Sequence, residues 1–303
     1  MNSDLLAAFV ADQRLRRLAP GTIQTSSARI RAYLSYCEKV GLDPLQAGRE
    51  VFLKYLQYRQ ERGVRHGTLK GDFSALSSFY ELLEEQGKSR SAQEVGAIRK
   101  KYLRQYKPDA EERQIISIEQ AASMVAGTID TRDRAILLLL LKTGMRRGEM
   151  ATLDVADVSL EGLSIRLKPT GKRSNRLVFF DEEAKEALSR WLKARARRAG
   201  SEPALFLAPD GQRLGYRGIW SAVVRAAARA GLHDPASEKL EERFGPHCCR
   251  HWNATHLLRA GMPREYMQWL RGDARRDAID IYNHIDPEDV RRAYLVNIPL
   301  LGI

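Results

Sequence analysis

The sequence is poor in cysteine and has neither a long apolar run nor a low-complexity segment. Its 303 residues include three cysteines, Cys37, Cys248 and Cys249. An odd number of thiols in so long a chain argues against a disulfide framework and fits a reducing cytoplasm. There is no CxxC pair, so a zinc ribbon is not expected. The longest apolar stretch, Ala135 to Leu141, falls far short of the roughly 20 residues that cross a bilayer. It reads as a buried helix. Met1-Asn2-Ser3-Asp4 shows no basic n-region and no signal-like cleavage site. The expected location is the cytoplasm, in association with the nucleoid.

What is abundant is positive charge. Fifty Lys and Arg face 38 Asp and Glu, a formal net charge of +12. Duplex DNA carries about one negative charge per 1.7 Å, so a basic surface gains affinity by releasing counterions. Double-stranded DNA is therefore the first partner to consider. A merely basic protein and an anionic membrane surface remain alternatives. A chain of this length with 44% apolar residues can bury two cores.

Apolar spacing predicts a helical bundle at the start of the chain. Helices are expected over 3–18 (with Ser3 as N-cap), from Ile23 to Gly41 after a Pro20-Gly21-Thr22 break, over 50–62, and over 68–86. The aromatic residues of this part sit at core spacing. A basic run follows, Arg99, Lys100, Lys101, Arg104 and Lys107. The polar, Pro-containing stretch 106–116 reads as a linker. The chain then divides as 1–105, the linker, and 117–303.

In the second part, Ser117 with Gln120 is a capping-box pattern. A leucine-rich helix is expected over 131–143, two strands over 162–168 and 176–180, and helices over 181–199, 216–230, 246–260, 263–271, 276–283 and 287–296. The expected fold class is mainly α with a small antiparallel β-sheet. The apolar end, Ile298-Pro299-Leu300-Leu301-Gly302-Ile303, is expected to dock into a groove, on this chain or on a neighbouring protomer.

The chemistry concentrates late in the chain. Pro246-His247-Cys248-Cys249-Arg250-His251 sets two basic groups three apart, and Ile281-Tyr282-Asn283-His284 follows. Arg146 and Lys172 lie upstream. Such a set suits a phosphodiester held by cations and attacked by a phenol. Arginine stays protonated and binds two oxygens with its planar fork. Two arginines and a histidine could take the charge that develops on the non-bridging oxygens. A lysine could protonate the leaving 5′-oxygen. Each residue alone has a plainer reading: Arg146 as a helix C-terminal cap, Lys172 as turn surface charge, His251 and His256 as packing groups. A metal reading of His247, His251 and His256 lacks an HExxH acid and a fourth ligand at usual spacing.

Taken together, these boxes resemble the tyrosine recombinases, the phage integrase family. Thr143-Gly144-Met145-Arg146-Arg147-Gly148-Glu149-Met150 looks like the family's first-arginine box, and Gly171-Lys172 like its hairpin lysine. His247-Cys248-Cys249-Arg250-His251 is similar to its H-x-x-R box, and Tyr282-Asn283-His284 to its Y-x-H ending. The N-terminal bundle looks like its core-binding domain, in a compact Xer-like form. The resemblance implies that Tyr282 attacks a scissile phosphate and leaves a 3′-phosphotyrosyl bond. Arg146, Arg250 and His247 would hold the phosphate, Lys172 would be the general acid, and Glu149 would orient Arg146. His251 would support the site. It implies no metal, no ATP and no cofactor.

The resemblance also implies a clamp on duplex DNA, with Arg99, Lys100, Lys101 and Arg104 against phosphates, and a tetramer of protomers on synapsed DNA. One position departs from the pattern. Nine residues before Tyr282, where the family has histidine or tryptophan, stands Asp273, similar in this to archaeal members. Asp273 would then either orient an arginine or accept the phenol proton, and Arg271, Arg275 or Arg276 would supply the missing donor. Three readings stay open: a site-specific recombinase (an integrase or a resolver of chromosome dimers), a DNA relaxer of the same chemistry, and a relative that binds DNA without cleaving it.

Overall fold

The computed structural model describes residues 2–104, 114–169, 177–237, 239–272 and 285–303. The chain divides into two compact units, Met1–Ala110 and Glu111–Ile303, each with its own core.

The first unit is a helical bundle: α1 (Asn2–Leu15), α2 (Pro20–Lys39), α3 (Arg49–Glu61), α4 (His66–Glu85) and α5 (Ala92–Ile98), which runs into a π-helical segment, Arg99–Arg104. Two expected starts were misplaced. Ser3 lies inside α1 rather than capping it. Pro20 opens α2 instead of breaking the chain, because proline's missing N–H is unneeded at the first helical position. The expected one-sided burial of α4 is met, with Leu69, Phe73, Leu76, Phe79, Tyr80 and Leu83 all inside. Aromatic edges dominate this core, as in Phe9 against Phe79 (5.6 Å, 87°). A buried relay runs from the Tyr33 hydroxyl to that of Tyr80 (2.7 Å) and on to the Pro44 carbonyl (2.7 Å). The basic run was read without the helix that carries it. Val95, Ile98 and Leu103 are buried and turn its charges outward.

The second unit holds α6 (Ile118–Ala126), α7 (Thr131–Thr143), α8 (Arg147–Ala151), α9 (Glu182–Ala196), α10 (Tyr216–Arg229), α11 (Pro246–Arg259), α12 (Arg264–Arg271) and α13 (Pro287–Asn297). A three-stranded antiparallel sheet, β1 (Val158–Ser159), β2 (Ser164–Arg166) and β3 (Leu177–Phe179), lies between α8 and α9 in sequence. Ile165 pairs with Val178, and both are buried. The two-residue β1 was not anticipated. The Ser117–Gln120 capping box is present in both directions (2.9 and 3.2 Å). Most of the expected linker, and the expected helix 276–283, lie outside the described residues.

Helix α7 is the centre of this unit. Ala135 to Leu141 are all buried, as a leucine run enclosed on every side requires. Its last turn contains Lys142, whose side chain is 0% exposed. A buried ammonium is tolerated only when paired. Lys142 Nζ meets Asp181 Oδ2 and Glu183 Oε2, each at 2.6 Å, and donates to the Pro299 carbonyl at 2.6 Å. Glu183 in turn accepts from the Leu301 and Gly302 amides. Ile298 and Leu301 are buried. The apolar end therefore docks in a groove of its own chain. Among the described residues, no helix is long and apolar enough to cross a membrane.

Candidate active site

The turn after α7 delivers the first arginine. Gly144 ends the helix in the left-handed region (φ 59°), where a side chain is strained. Arg146 then stands as the N-cap of α8. Its amide donates to Glu149 Oε2 (2.7 Å) and its Nη1 to Glu149 Oε1 (3.0 Å). Glu149 is buried, whereas 38% of the Arg146 side chain is exposed. The carboxylate thus holds both the amide and the guanidinium of the arginine, whose side chain is partly exposed. Arg146 is therefore the N-cap residue of α8 as well as a group on the cleft; it does not cap the C-terminus of α7.

The second arginine comes from α11. Arg250 is 5% exposed. Its Nη1 donates to the Gly144 carbonyl (2.7 Å) and its Nη2 to the Arg271 carbonyl (2.9 Å). One guanidinium therefore ties α11 to the turn before Arg146 and to the end of α12. The helical spacing of α11 places His247 one turn earlier, exposed in the first turn. The His251 ring stands edge-on to it, 4.7 Å away at 76°. His256 faces the core and contacts the Ile116 carbonyl through Nε2 (3.1 Å).

Arg146, His247 and Arg250 line one open cleft of about 660 Å³. Arg147, Arg243 and His233 line it too, and none of its described lining residues is acidic. The N-terminus of α11 also opens on it, adding the positive end of a helix dipole. Such a site attracts and orients an anion with donors already fixed in place. Cys249 offers no competing nucleophile, because burial, and then the neighbouring Cys248, push its thiol up. Tyr294 offers none either. Burial, and then Asp181, push its phenol up, and its hydroxyl is committed to the Lys142 carbonyl at 2.9 Å.

Lys172, Asp273 and Tyr282 lie outside the described residues, as do Arg275 and Arg276. The ends of β2 and β3 bracket the Lys172 segment, and Lys168 at its near side pairs with Asp154. In the first unit, Arg99 is half-buried and donates to Ser74 Oγ (3.1 Å). Lys100, Lys101 and Arg104 are exposed. No group of three or more metal-ligating side chains occurs among the described residues. The sequence reading did not single out Tyr216, Trp220, Arg147 and Arg243 on the cleft. A signal existed for the two aromatics. They fall outside the apolar stripe of α10, which Ile219, Ala222, Val223, Ala226 and Ala227 make.

Solved structures place this architecture in a class. The chain is similar to a lambda integrase (75–356) dimer bound to a COC′ core site, at 17% identity and TM-score 0.68, over 94% of this chain and 98% of that one. The fold is that of the integrases. The model for the phage integrase family matches residues 109–289, and that for the phage integrase N-terminal SAM-like domain matches 5–87. The chain belongs to the phage integrase family, and its activity is site-specific tyrosine recombination. Among similar proteins are a tyrosine recombinase XerC of Pelotomaculum thermopropionicum, 30% identical over 84% of this chain and 83% of the relative, and one of Haemophilus influenzae, 26% identical over 92% and 91%.

Proposed function

We propose that the chain binds duplex DNA and that Tyr282 cuts one strand at a site held by Arg146, Arg250 and His247. The observation that carries this reading is their convergence on one cleft without a carboxylate in its described lining, although their boxes lie about a hundred residues apart in sequence. The Tyr282 phenol gives up its proton to water, its oxygen forms a bond to phosphorus, the bond to the 5′-oxygen breaks, and Lys172 supplies the proton to that oxygen. A free 5′-hydroxyl then reverses the step on the same or a partner strand. One phosphoester is exchanged for another, so neither ATP nor a metal is needed. A phenol with a pKa near 10 is about 0.1% ionised at neutral pH. The cations of the cleft favour the ionised attack. Glu149 acts as a positioning residue through Arg146.

Arg99, Lys100, Lys101 and Arg104 make phosphate contacts in this reading, the first unit serves to bind DNA, and four protomers assemble on two sites. Asp273 orients an arginine of the site. Nicked duplexes carrying candidate sites test the proposal by a covalent protein–DNA adduct on a denaturing gel, without metal or ATP. The adduct is expected with the wild type and absent with Tyr282→Phe. An adduct that survives Tyr282→Phe would move the nucleophile elsewhere. Binding without any adduct would favour a non-cleaving relative.

A further inference from the structure

The cleft carries two large aromatic side chains that the reaction described above leaves without a role. Tyr216 and Trp220 stand one turn apart on α10 and are 54% and 45% exposed. Both line the cleft that holds Arg146, His247 and Arg250. Each ring is seated against a glycine beside one of the motif boxes. A Cβ on Gly148 would lie 3.1 Å from Tyr216 Cε1, and one on Gly245 would lie 3.9 Å from Trp220 Nε1. Gly148 stands two residues after Arg146, and Gly245 two before His247. The Arg147 guanidinium lies 5.8 Å from the centre of the Tyr216 ring. At about 660 Å³, the cleft falls in the range of pockets that take whole small molecules and far exceeds one phosphate group.

Half-exposed aromatic rings beside a cationic phosphate site match the way proteins hold unpaired bases. The backbone lies along positive charge, and the base stacks on a ring that does not read its identity. We propose that Tyr216 and Trp220 form a stacking platform for a nucleotide adjoining the scissile phosphate, drawn out of the duplex stack as the strand is cut. This rests on the reading of the cleft as the phosphate site. It carries a consequence for the DNA. Unstacking is easiest at pyrimidine–purine steps such as TA and CA, so cleavage favours such a step at the cut even without hydrogen bonds to its bases.

The test uses nicked duplexes that are intact or carry an abasic nucleotide on either side of the scissile phosphate. The variants are Trp220→Ala, Trp220→Phe and Trp220→Leu, with Tyr216→Phe and Tyr216→Leu. At saturating protein, Trp220→Ala and Trp220→Leu are expected to slow adduct formation by about tenfold or more. Trp220→Phe and Tyr216→Phe, which keep a ring, should stay near wild type. An abasic nucleotide at the stacked position should slow the wild type by a similar factor and slow Trp220→Leu no further. Additive losses at both positions, or wild-type rates for Trp220→Leu, overturn the platform. Comparing Leu with Phe keeps the test valid if Trp220→Ala folds poorly. In parallel, 2-aminopurine at the flanking positions reports stacking without cleavage. Its emission should differ between the wild-type and Trp220→Leu complexes, and identical emission at both positions overturns the platform. Altered emission without any adduct would support the platform and count against the catalytic reading instead.

Discussion

Replacing Gly144 with alanine should damage both stability and cleavage. Gly144 has φ 59°, a conformation that costs an L-residue about 1–2 kcal/mol. The new methyl would also lie 2.6 Å from Asn253 Oδ1 and 3.0 Å from its Cγ. Asn253 cannot retreat freely. It is buried, and its amide donates to the Leu141 and Lys142 carbonyls at 2.9 and 2.7 Å. Moving it releases two hydrogen bonds, each worth about 0.5–1.5 kcal/mol net. The combined loss is about 3 kcal/mol, a large part of the 5–15 kcal/mol typical of a folded domain. With a urea dependence of about 1–3 kcal/mol per molar, the midpoint of the second unit should fall by about 1–3 M. The same change moves the carbonyl that receives Arg250 and the turn that presents Arg146, so the adduct rate should fall even in protein that is still folded. Urea melts followed by circular dichroism, with gel assays on the folded fraction, check both effects. A Gly144→Ala variant with an unchanged midpoint and an unchanged adduct rate would refute the reasoning.

Three further outcomes are expected. Lys142→Met should destabilise the second unit by about 3–5 kcal/mol, because it strands the buried Asp181 carboxylate and removes the cation from the half-buried Glu183; adding Asp181→Asn and Glu183→Gln should recover most of that in urea melts. Burial pushes the Glu183 carboxyl up, but Lys142 and the Leu301 and Gly302 amides outweigh it and hold it below the ordinary range. A carboxyl lower in the folded than in the unfolded chain stabilises fully above the unfolded value, near pH 4.3, and ceases to do so as pH falls through the folded value. The wild-type Tm should therefore drop more steeply below about pH 4.3 than that of Glu183→Gln, and parallel curves would contradict this. Tyr80→Phe leaves the Pro44 carbonyl unmet in the first core and should cost about 1–3 kcal/mol, read as a lower melting point with the second unit unaffected.

Much of the architecture was legible in the chain because its helices advertise themselves by period. The one-sided apolar pattern of α4 and the capping box of α6 correspond to local physics, and both appear where expected. Segments held by few residues were harder to see. The core contacts of α5 and its π-helical extension rest on Val95, Ile98 and Leu103, and the surrounding charges masked that pattern. Strand β1, with two residues, is too short to show a period. Within the site, the pairing of Arg146 with Glu149 comes from the family resemblance, and the cap of α8 realises it over three residues. The partners of Arg250 were not legible in the sequence. Gly144 is 106 residues away, and only tertiary packing brings its carbonyl to the guanidinium. Lys142 hid for the opposite reason: within a leucine run a single lysine reads as a helix end turned to water, and its two carboxylates come from a different element.

The last turn of α7 is also a mechanical junction. Lys142 grips the chain end through Pro299 and the start of α9 through Glu183. Its own carbonyl receives the Tyr294 hydroxyl from α13 and the Asn253 amide from α11. Four residues further on is Arg146. Load applied near residue 303, by a protein that grasps it or by an appended tag, therefore reaches the arginine turn through residue 142, by its side chain and by its carbonyl, and position 303 is less neutral as an attachment point than its distance in sequence from residue 146 suggests.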